Sequence, residues 1–383
     1  MNLTDPESAP QPPRTSSITL FLCGDVMTGM GIDQILLHPS DPATHEGYMK
    51  DARGYVEIAE KINGPIPRSV PPDYIWGDAL DELEGMTPDL RIINLETSVT
   101  RSDDYWEWKE IHYRMHPENI DSINSAKIDV CSLANNHVLD WGYAGLKETL
   151  ETLRKAKIGS VGAGMNVNEA ESPAMIEIEG KGRAVIFAFG SPTSGVPLNW
   201  AASQKGPGVN LLRDFSDDAV QRIRKKVEEV KQERDIVVAS IHWGGNWGYH
   251  VPQEEIDFAH QLIDEAGVDM IHGHSSHHAK SIEVYRDRLI LYCCGDFLND
   301  YEGIGGYEYY RGDLGLMYFA TTDPSTGKLV QLQMTPTQIK HFRVNRPSRE
   351  DALWLANVFD REGKKFETGV KLDEDNRLTL FWD

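Results

Sequence analysis

The sequence is poor in cysteine, in basic residues and in long apolar runs. Its four cysteines, Cys23, Cys131, Cys293 and Cys294, fall inside apolar stretches and show no spacing typical of a disulfide framework or a zinc knuckle. We therefore expect them to be reduced core residues. The apolar runs fall short of the ~18 residues of a membrane span, and residues 1–17 lack the basic start and apolar core of a signal peptide. These absences predict a cytoplasmic protein without a membrane anchor.

Basic residues are outnumbered by acidic ones. The chain has 38 Lys and Arg against 60 Asp and Glu, for a formal net charge of -22. Because a surface of that sign repels phosphate backbones, we expect no nucleic-acid partner. The 40% hydrophobic and 26% charged residues are typical of an ordinary globular protein. The sequence carries no signal for an oligomeric state.

Short apolar runs alternate with helical patterns over most of the chain. The runs are 18–25, 90–96, 128–136, 158–164, 184–190, 235–245, 268–274 and 289–297, and the main helical patterns are 143–156, 216–235 and 253–267. Such alternation is typical of an α/β fold with a largely parallel, buried sheet.

The same patterns suggest how the chain is organised. We expect residues 1–17 to be a flexible leader and 18–340 to be one large domain. Within 341–383, a helix at 349–363 and a last strand should pack on that domain. We expect residues 33–88 to form an ordered insertion over the site, with a short helix near 76–83.

Polar residues close five of the apolar runs. They are Asp25, Glu96, Asn136, His242 and either His272 or His274. Functional groups collect at the carboxyl ends of parallel strands, so these side chains should meet in one site. Their oxygens and imidazoles are suited to one or two divalent ions, with Mn, Zn, Fe, Mg and Ca all open. We predict metal ligands at the first four and at His274, because His272 lies inside its strand, where a hydrogen bond to backbone is expected.

Three further residues are candidates for proton transfer. His137 follows Asn136 directly and can protonate a leaving group, while Asp140, three residues on, can orient its imidazole. His277 follows the strand that ends at His274, in a run of four histidines within seven residues. We expect His277 to serve either in metal binding or in proton transfer.

Six motifs follow one another between about residues 18 and 320. They are GDVMTG (24–29), NLETSVT (94–100), SLANNHVLDWGYAGLKETLETL (132–153), IHWG (241–244), VDMIHGHSSHH (268–278) and LILYCCGDFL (289–298). Together they resemble the CapA, or poly-γ-glutamate (capsule) synthesis, family, a branch of the calcineurin-like metallophosphoesterases. The resemblance implies a four-layer αββα sandwich and metal-dependent hydrolysis of a phosphoester or of an amide-linked polyglutamate or peptide. It also implies that Glu96 is a bridging-type carboxylate and His137 the general acid.

The motifs depart from those of the wider superfamily in ways that keep two other functions open. Met27 stands where Asp-x-His would place a histidine, and a thioether is a poor ligand for hard divalent ions. Asp296 replaces the asparagine of a Gly-Asn-Phe motif. One alternative is therefore a metal-independent peptide epimerase in which Asp25 and a histidine such as His277 exchange a proton at a Cα. The other is a non-catalytic component of capsule polymer synthesis.

Two segments are candidates for substrate binding. Arg114 and His116 precede a predicted helix, where an arginine can hold a carboxylate or phosphate, although pairing with a structural acid is the alternative. Trp243 and Trp247 follow the strand of His242 among glycines and can form an aromatic wall for a small molecule, peptide or polyglutamate chain, with packing beneath a loop as the alternative.

Overall fold

In the computed structural model, which describes residues 17–382, the apolar runs form two large sheets. The strands are β1 (Ile18–Val26), β2 (Leu90–Leu95), β3 (Ser98–Val99), β4 (Arg114–Met115), β5 (Val130–Ser132), β6 (Gly159–Val161), β7 (Ala163–Gly164), β8 (Ala174–Ile178), β9 (Gly182–Gly190), β10 (Gly208–Val209), β11 (Asp235–His242), β12 (Met270–His274), β13 (Ile282–Tyr285), β14 (Arg288–Leu291), β15 (Asp296–Leu298), β16 (Leu314–Asp323), β17 (Lys328–Ile339), β18 (Val344–Asn345), β19 (Thr368–Leu372) and β20 (Leu378–Trp382). The helices are α1 (Met30–Asp33), α2 (Arg53–Asn63), α3 (Ala79–Met86), α4 (Asp121–Asn124), α5 (Gly142–Lys155), α6 (Val167–Glu171), α7 (Asp217–Val230), α8 (Gln253–Asp264) and α9 (Arg349–Gly363). Residues 1–16 of the expected leader lie outside the described residues.

The two sheets are mixed rather than largely parallel. The larger has the order β19-β20-β17-β16-β1-β2-β5-β6 and the smaller β13-β14-β12-β11-β9-β8. Parallel pairing, as predicted, joins β1, β2, β5 and β6 in one sheet and β9, β11, β12 and β14 in the other. The long pair β16 and β17 is antiparallel because a tight turn at Asp323, with Gly327 at φ +69°, joins them without a helix.

Side chains alternate between two faces of each sheet. Leu20 and Leu22 of β1 belong to the apolar core between the sheets, with residues such as Ile186 of the other sheet. Phe21 and Cys23 point the opposite way, into the core beneath α2, α3 and α5. A third core lies between the smaller sheet and the helices α7 and α8. The layers therefore run helix, sheet, sheet, helix, and the expected αββα sandwich is confirmed.

The C-terminal segment contributes to the larger sheet and to the core between the sheets. β20 pairs with β17, and β19 pairs with β20 at the edge of that sheet. The helix α9 has the bounds that the sequence predicts, and it contributes Leu355 and Phe359 to the inter-sheet core. Within residues 17–382, no helix has the length and apolar character needed to cross a membrane.

Residues 33–88 form an ordered segment on the outer face of the larger sheet. The predicted helix at 76–83 lies three residues further along as α3. α2 is a second helix that was not predicted from the sequence. α1 and α2 pack against one another, and Tyr55 and Val56 of α2 join the core on that face.

Candidate functional site

The carboxyl ends of strands from both sheets meet at one buried polar cluster. In the larger sheet Asp25 of β1 lies opposite Asn94 of β2. In the smaller sheet His242 of β11 lies opposite His274 of β12. His274 Nδ1 is 3.9 Å from Asp25 Oδ1, so the two sheets contribute to the same site. This is the placement that parallel strands predict.

Asp25, His242 and His274 form a set with the spacing of metal ligands. Each offers one ligand atom, and these atoms all lie within 4.8 Å of one another. All three residues are buried. Asp25 is held in place by Asn94, whose Nδ2 donates to Oδ1 at 2.7 Å, and by the N–H of Ser275, which donates to Oδ2 at 3.1 Å. One carboxylate with two imidazoles is a donor set that suits Zn, Mn or Fe.

The two imidazoles belong to a chain of hydrogen bonds whose tautomers follow from their partners. His242 Nε2 lies 3.0 Å from Asn136 Oδ1, which accepts, so Nε2 carries a proton and Nδ1 is the acceptor in the neutral ring. His274 Nδ1, 2.7 Å from His242 Nδ1, then donates, and His274 Nε2 accepts from Ser240 Oγ at 2.9 Å. Burial lowers the pKa of each histidine well below the ordinary value of an imidazole, so both rings are neutral.

Glu96, just after β2, brings a second carboxylate to the cluster. Its Oε1 is 3.7 Å from His137 Nε2 and 3.7 Å from His242 Nε2. Its Oε2 is buried and has no hydrogen-bond partner. Burial, followed by the charges of Asp25 and Asp296, raises the pKa of Glu96 well above its ordinary value. A buried carboxylate oxygen without a partner is costly, and a bound cation would satisfy it.

His137 lies beside an ion pair that includes a lysine. Asp140 Oδ2 is 2.6 Å from His137 Nδ1, as the predicted orienting role requires. Lys109 Nζ contacts the same Nδ1 at 2.9 Å and also pairs with the other oxygen of Asp140. Burial lowers the pKa of His137 to about 4; the carboxylate of Asp140 opposes this shift and the positive charge of Lys109 adds to it. His137 is therefore neutral near pH 7, with the positive charge on Lys109.

His277 is held by Asp296, the residue that replaces the expected asparagine. His277 Nδ1 is 3.1 Å from Asp296 Oδ1, and Asn299 Nδ2 donates to the other oxygen at 2.6 Å. Burial alone would lower the pKa of His277, but the carboxylates of Asp296 and Asp25 raise it overall. Burial and the neighbouring Asp296 raise the pKa of Asp25 to about 7. An acid and a base with shifted pKa values thus lie side by side.

Two glycines allow Asp25 and Asp296 to lie as close neighbours. The N–H of Asp25 donates to the carbonyl of Gly295 at 2.9 Å, and Asp25 pairs in register with Asp296 of β15. A Cβ added to Gly24 would lie 1.8 Å from that carbonyl oxygen, and Gly295 itself has φ +76°. Only glycine fits at position 24, because any side chain would separate the two strands.

Arg114 and His116 do not join the cluster. Arg114 is buried, donates to Ser102 and Asp103, and stacks over the ring of Trp141 at 3.9 Å. His116 caps a single helical turn, where its Nδ1 accepts from the N–H two residues later. The pairing of Arg114 with Asp103 is the structural alternative that the sequence left open. The residue that reaches the cluster from this segment is Tyr113, whose ring centroid is 4.3 Å from that of His137.

The two tryptophans after β11 have different surroundings. Trp243 is 1% exposed, donates to the carbonyl of Tyr292 and packs against Phe215, so it lies in the core and not along a wall open to ligands. Trp247 lies at the surface of a cavity and stacks on Tyr307 with centroids 4.2 Å apart and planes 3° apart. Strand alternation accounts for the difference. Trp243 directly follows β11, and its side chain points to the same face as that of Ile241, toward α7 and α8.

His272 and Met27 are neighbours of the cluster but turn away from metal binding. His272 Nε2 contacts the carbonyl of Cys23 at 2.7 Å, the backbone hydrogen bond that its position inside β12 predicts. Met27 is 1% exposed, and Tyr301 donates its hydroxyl to the Met27 sulfur at 3.7 Å. A metal position that depends on an imidazole at 27 is therefore missing.

Sequence reasoning did not identify Lys109, Asn94 or Asp296 as site residues. Asp296 follows an apolar run, so the strand-end rule that selected Asp25 could have selected it too. Lys109 comes from an irregular stretch between β3 and β4, and no local pattern distinguishes it from the surface lysines.

The four cysteines are buried and unpaired, as predicted.

Comparison with known proteins gives consistent matches over most of the chain. A family model described as "Bacterial capsule synthesis protein PGA_cap" matches residues 19–301. The "Probable polyglutamine synthesis accessory protein" of Mycobacterium tuberculosis is 45% identical over 95% of this chain and 96% of its own length. The "PGA biosynthesis protein CapA" of Bacillus subtilis is 29% identical over 75% of this chain and 70% of its own length. Among solved structures, a novel phosphatase from Mycoplasma pneumoniae has a TM-score of 0.46 at 13% identity, covering 84% of this chain and 94% of its own.

Proposed function

The chain belongs to the bacterial capsule synthesis family PGA_cap, and from that premise we propose that it is a metal-dependent hydrolase of an amide-linked polymer of the polyglutamate or polyglutamine type. The names of its relatives in Mycobacterium tuberculosis and Bacillus subtilis support the substrate class. A phosphoester is the other substrate that this kind of site can take, because both reactions develop negative charge on an oxygen.

The observation that carries the proposal is the convergence of Asp25, His242 and His274 within 4.8 Å. Two further features fit a cation in the same place. Glu96 Oε2 is a buried acceptor with no partner, and Asn136 Oδ1 lies 3.0 Å from His242. These five residues, the predicted ligands, would hold the ion. Bound there, a divalent ion supplies Lewis-acid polarisation of the substrate oxygen and lowers the pKa of water.

The remaining residues of the cluster position and move protons. Asn94 and the Ser275 N–H fix the orientation of the Asp25 carboxylate. His137 Nε2 faces Glu96, so it is the atom that exchanges a proton with the substrate. The positive charge of Lys109 beside Nδ1 favours the neutral ring. Asp140 keeps the imidazole in place during the proton transfer.

Metal analysis and two variants test this proposal. We expect protein purified without chelator to contain a divalent metal, and Asp25→Ala and His274→Ala to lower its metal content and its hydrolysis of γ-linked and α-linked glutamyl oligomers by at least about a hundredfold. His250→Ala is the matched control, because His250 is an exposed histidine in the loop after β11. Metal-free protein with full activity, or variants as active as the control, would contradict the proposal. Binding of the polymer without any turnover would favour the accessory role.

A metal-independent epimerase is a second candidate, favoured by Met27 and by the pair Asp25 and His277. Met27 offers no ligand suited to a hard ion. Asp25, with its pKa of about 7, and His277, whose pKa is raised, are both poised for proton transfer near neutral pH. Incorporation of solvent deuterium at a peptide Cα in excess EDTA, lost in His277→Ala, would identify this activity. No deuterium uptake under those conditions would rule it out.

A further inference from the structure

A cavity of about 600 Å³ lies beside the polar cluster, and His277 forms part of its wall. Asn299 and Tyr301 line it too, and both contact the cluster: Asn299 donates to Asp296, and the Tyr301 hydroxyl is 2.8 Å from that of Tyr113. The cavity is therefore continuous with the candidate site. Its volume is within the usual range of about 300–1,000 Å³ for ligand pockets.

One side of the cavity is apolar and aromatic. The stacked rings of Trp247 and Tyr307 form a flat surface beside His277, whose ring centroid is 5.3 Å from that of Trp247. Tyr307 is 52% exposed, and Ile62 and Ile304, also in the lining, are 66% and 46% exposed. These side chains provide a surface on which the aliphatic part of a ligand can pack.

The charged residues of the lining are already paired, with two exceptions. Arg311 donates to Asp313 and to Asp351, and the Glu302 carboxylate accepts from two backbone N–H groups and a side-chain amide. Among the described residues of the lining, Lys340 is the one cation without an ion pair, and the exposed Glu308 offsets it. A polyanion would gain no net positive partner here and would meet the charge of -22 of the whole chain.

Carboxamides supply the remaining polar part of the lining. They are Asn63, Asn246, Asn299 and Gln338. Asn246 is exposed and accepts from the His277 N–H and the Ser276 hydroxyl through its backbone carbonyl, so its side chain can turn to a ligand. Asn63, Asn299 and Gln338 already donate to Glu302, Asp296 and Asp313. The Asn246 side chain therefore offers both a donor and an acceptor to a peptide or side-chain amide.

We propose that this cavity binds a segment of an uncharged polyamide chain and presents its backbone to His277. The aromatic surface packs on the aliphatic part of the chain, and the Asn246 carboxamide pairs with an amide group. The inference rests on the proposed function in taking a polymer as substrate, and it goes further by selecting neutral over anionic side groups.

Binding of two capped hexapeptides to the full chain tests the selection. N-acetylated, C-amidated hexaglutamine should bind at least about tenfold tighter than the matching hexaglutamate, and its affinity should be the same at low and high salt. Tyr307→Ala should weaken hexaglutamine binding about tenfold, because a flat aromatic contact is lost. Tyr309→Ala is the control, since Tyr309 is 68% exposed in the same turn and lies outside the lining.

The proposal is overturned if hexaglutamate binds as well as hexaglutamine, if neither peptide binds, or if the two tyrosine variants behave alike. Tyr307 is half-exposed, so its loss should leave folding intact, which circular dichroism checks. The His274→Ala variant distinguishes a failure of this binding proposal from a failure of the proposed hydrolase function. That variant should lose metal and turnover and keep hexaglutamine binding, whereas a hydrolase that prefers the anionic peptide would contradict this inference alone.

Discussion

Acidic residues lie at both ends of the parallel strands, and the two ends hold them in different ways. At the starting ends, Asp235 and Asp269 are each paired with a base. Asp235, the first residue of β11, accepts two hydrogen bonds from Arg183, at 3.0 and 2.6 Å. Asp269, just before β12, pairs with Lys231 at 2.8 Å and with Arg288 at 3.3 Å. The positive charges of arginine and lysine side chains therefore compensate these two carboxylates.

At the carboxyl ends, the acids have only neutral donors, imidazoles and one another. Within residues 17–382, Asp25, Glu96 and Asp296 form no ion pair with a lysine or arginine. Burial then raises the pKa of Asp25 to about 7 and shifts that of Glu96 upward. Carboxylates thus form stabilising ion pairs at the starting ends of the strands, whereas at the carboxyl ends Asp25 and Glu96 have raised pKa values.

The largest effect should come from breaking a pair at the starting ends. Asp235→Ala leaves the largely buried Arg183 without its carboxylate, and we expect it to lower the free energy of unfolding by about 3–5 kcal/mol. Urea denaturation measures this, and metal content should not change. Loss of metal without loss of stability would mean that the two ends are not separate in role.

Asp25→Asn should stabilise the metal-free protein at alkaline pH, where a charged Asp25 is costly. The folded protein keeps a proton on Asp25 up to about pH 7, whereas the unfolded chain releases it near its ordinary value of 3.8. The stabilisation from the protonated Asp25 is therefore fully present below about pH 4 and is lost as the pH rises to about 7, by on the order of 4 kcal/mol. Thermal melts in EDTA between pH 5 and pH 8 should show this slope in the wild type and little of it in the variant. Equal pH slopes in the wild type and in Asp25→Asn would contradict the raised pKa of Asp25.

Lys109→Met tests the one base that lies close to the cluster. Removing its charge should raise the pKa of His137 and lower kcat about tenfold near pH 7, because Asp140 loses the ion pair that holds it against His137. Lys109→Arg should recover part of the activity. The pH profile of kcat/KM separates this from a general loss of folding, since a purely structural role would lower activity without moving the profile.

The smallest effect should come from Lys181, which pairs with Asp89 just before β2. Lys181 is 34% exposed in its side chain, so solvent screens the pair. Lys181→Met should change the free energy of unfolding by less than about 1 kcal/mol. A cost as large as that of Asp235→Ala would show that exposure does not govern the strength of these pairs.

The sequence predicts the site well where the ligands follow buried strands. Asp25, His242 and His274 each end an apolar run, and parallel pairing makes such ends adjacent whatever lies between them in the chain. The helix at 349–363 was predicted to the residue because its apolar spacing and its N-cap serine are local.

What the sequence could not predict depends on contacts between distant segments. Lys109 reaches Asp140 across 31 residues from an irregular loop. Trp243 and Trp247 are alike as residues in a glycine-rich stretch, and only the direction of the strand decides that Trp243 is buried. The antiparallel strands β16 and β17 were not predicted from the sequence.

The close contact between Gly24 and Gly295 makes the two acids neighbours through backbone alone. Since no side chain helps to bring Asp25 and Asp296 together, either can be exchanged without disturbing the strands that present them. A change such as Asp296→Asn would alter the chemistry at this place and leave the scaffold unchanged. Such a backbone is well suited to divergence, in which related proteins keep one architecture and differ in the reaction they perform.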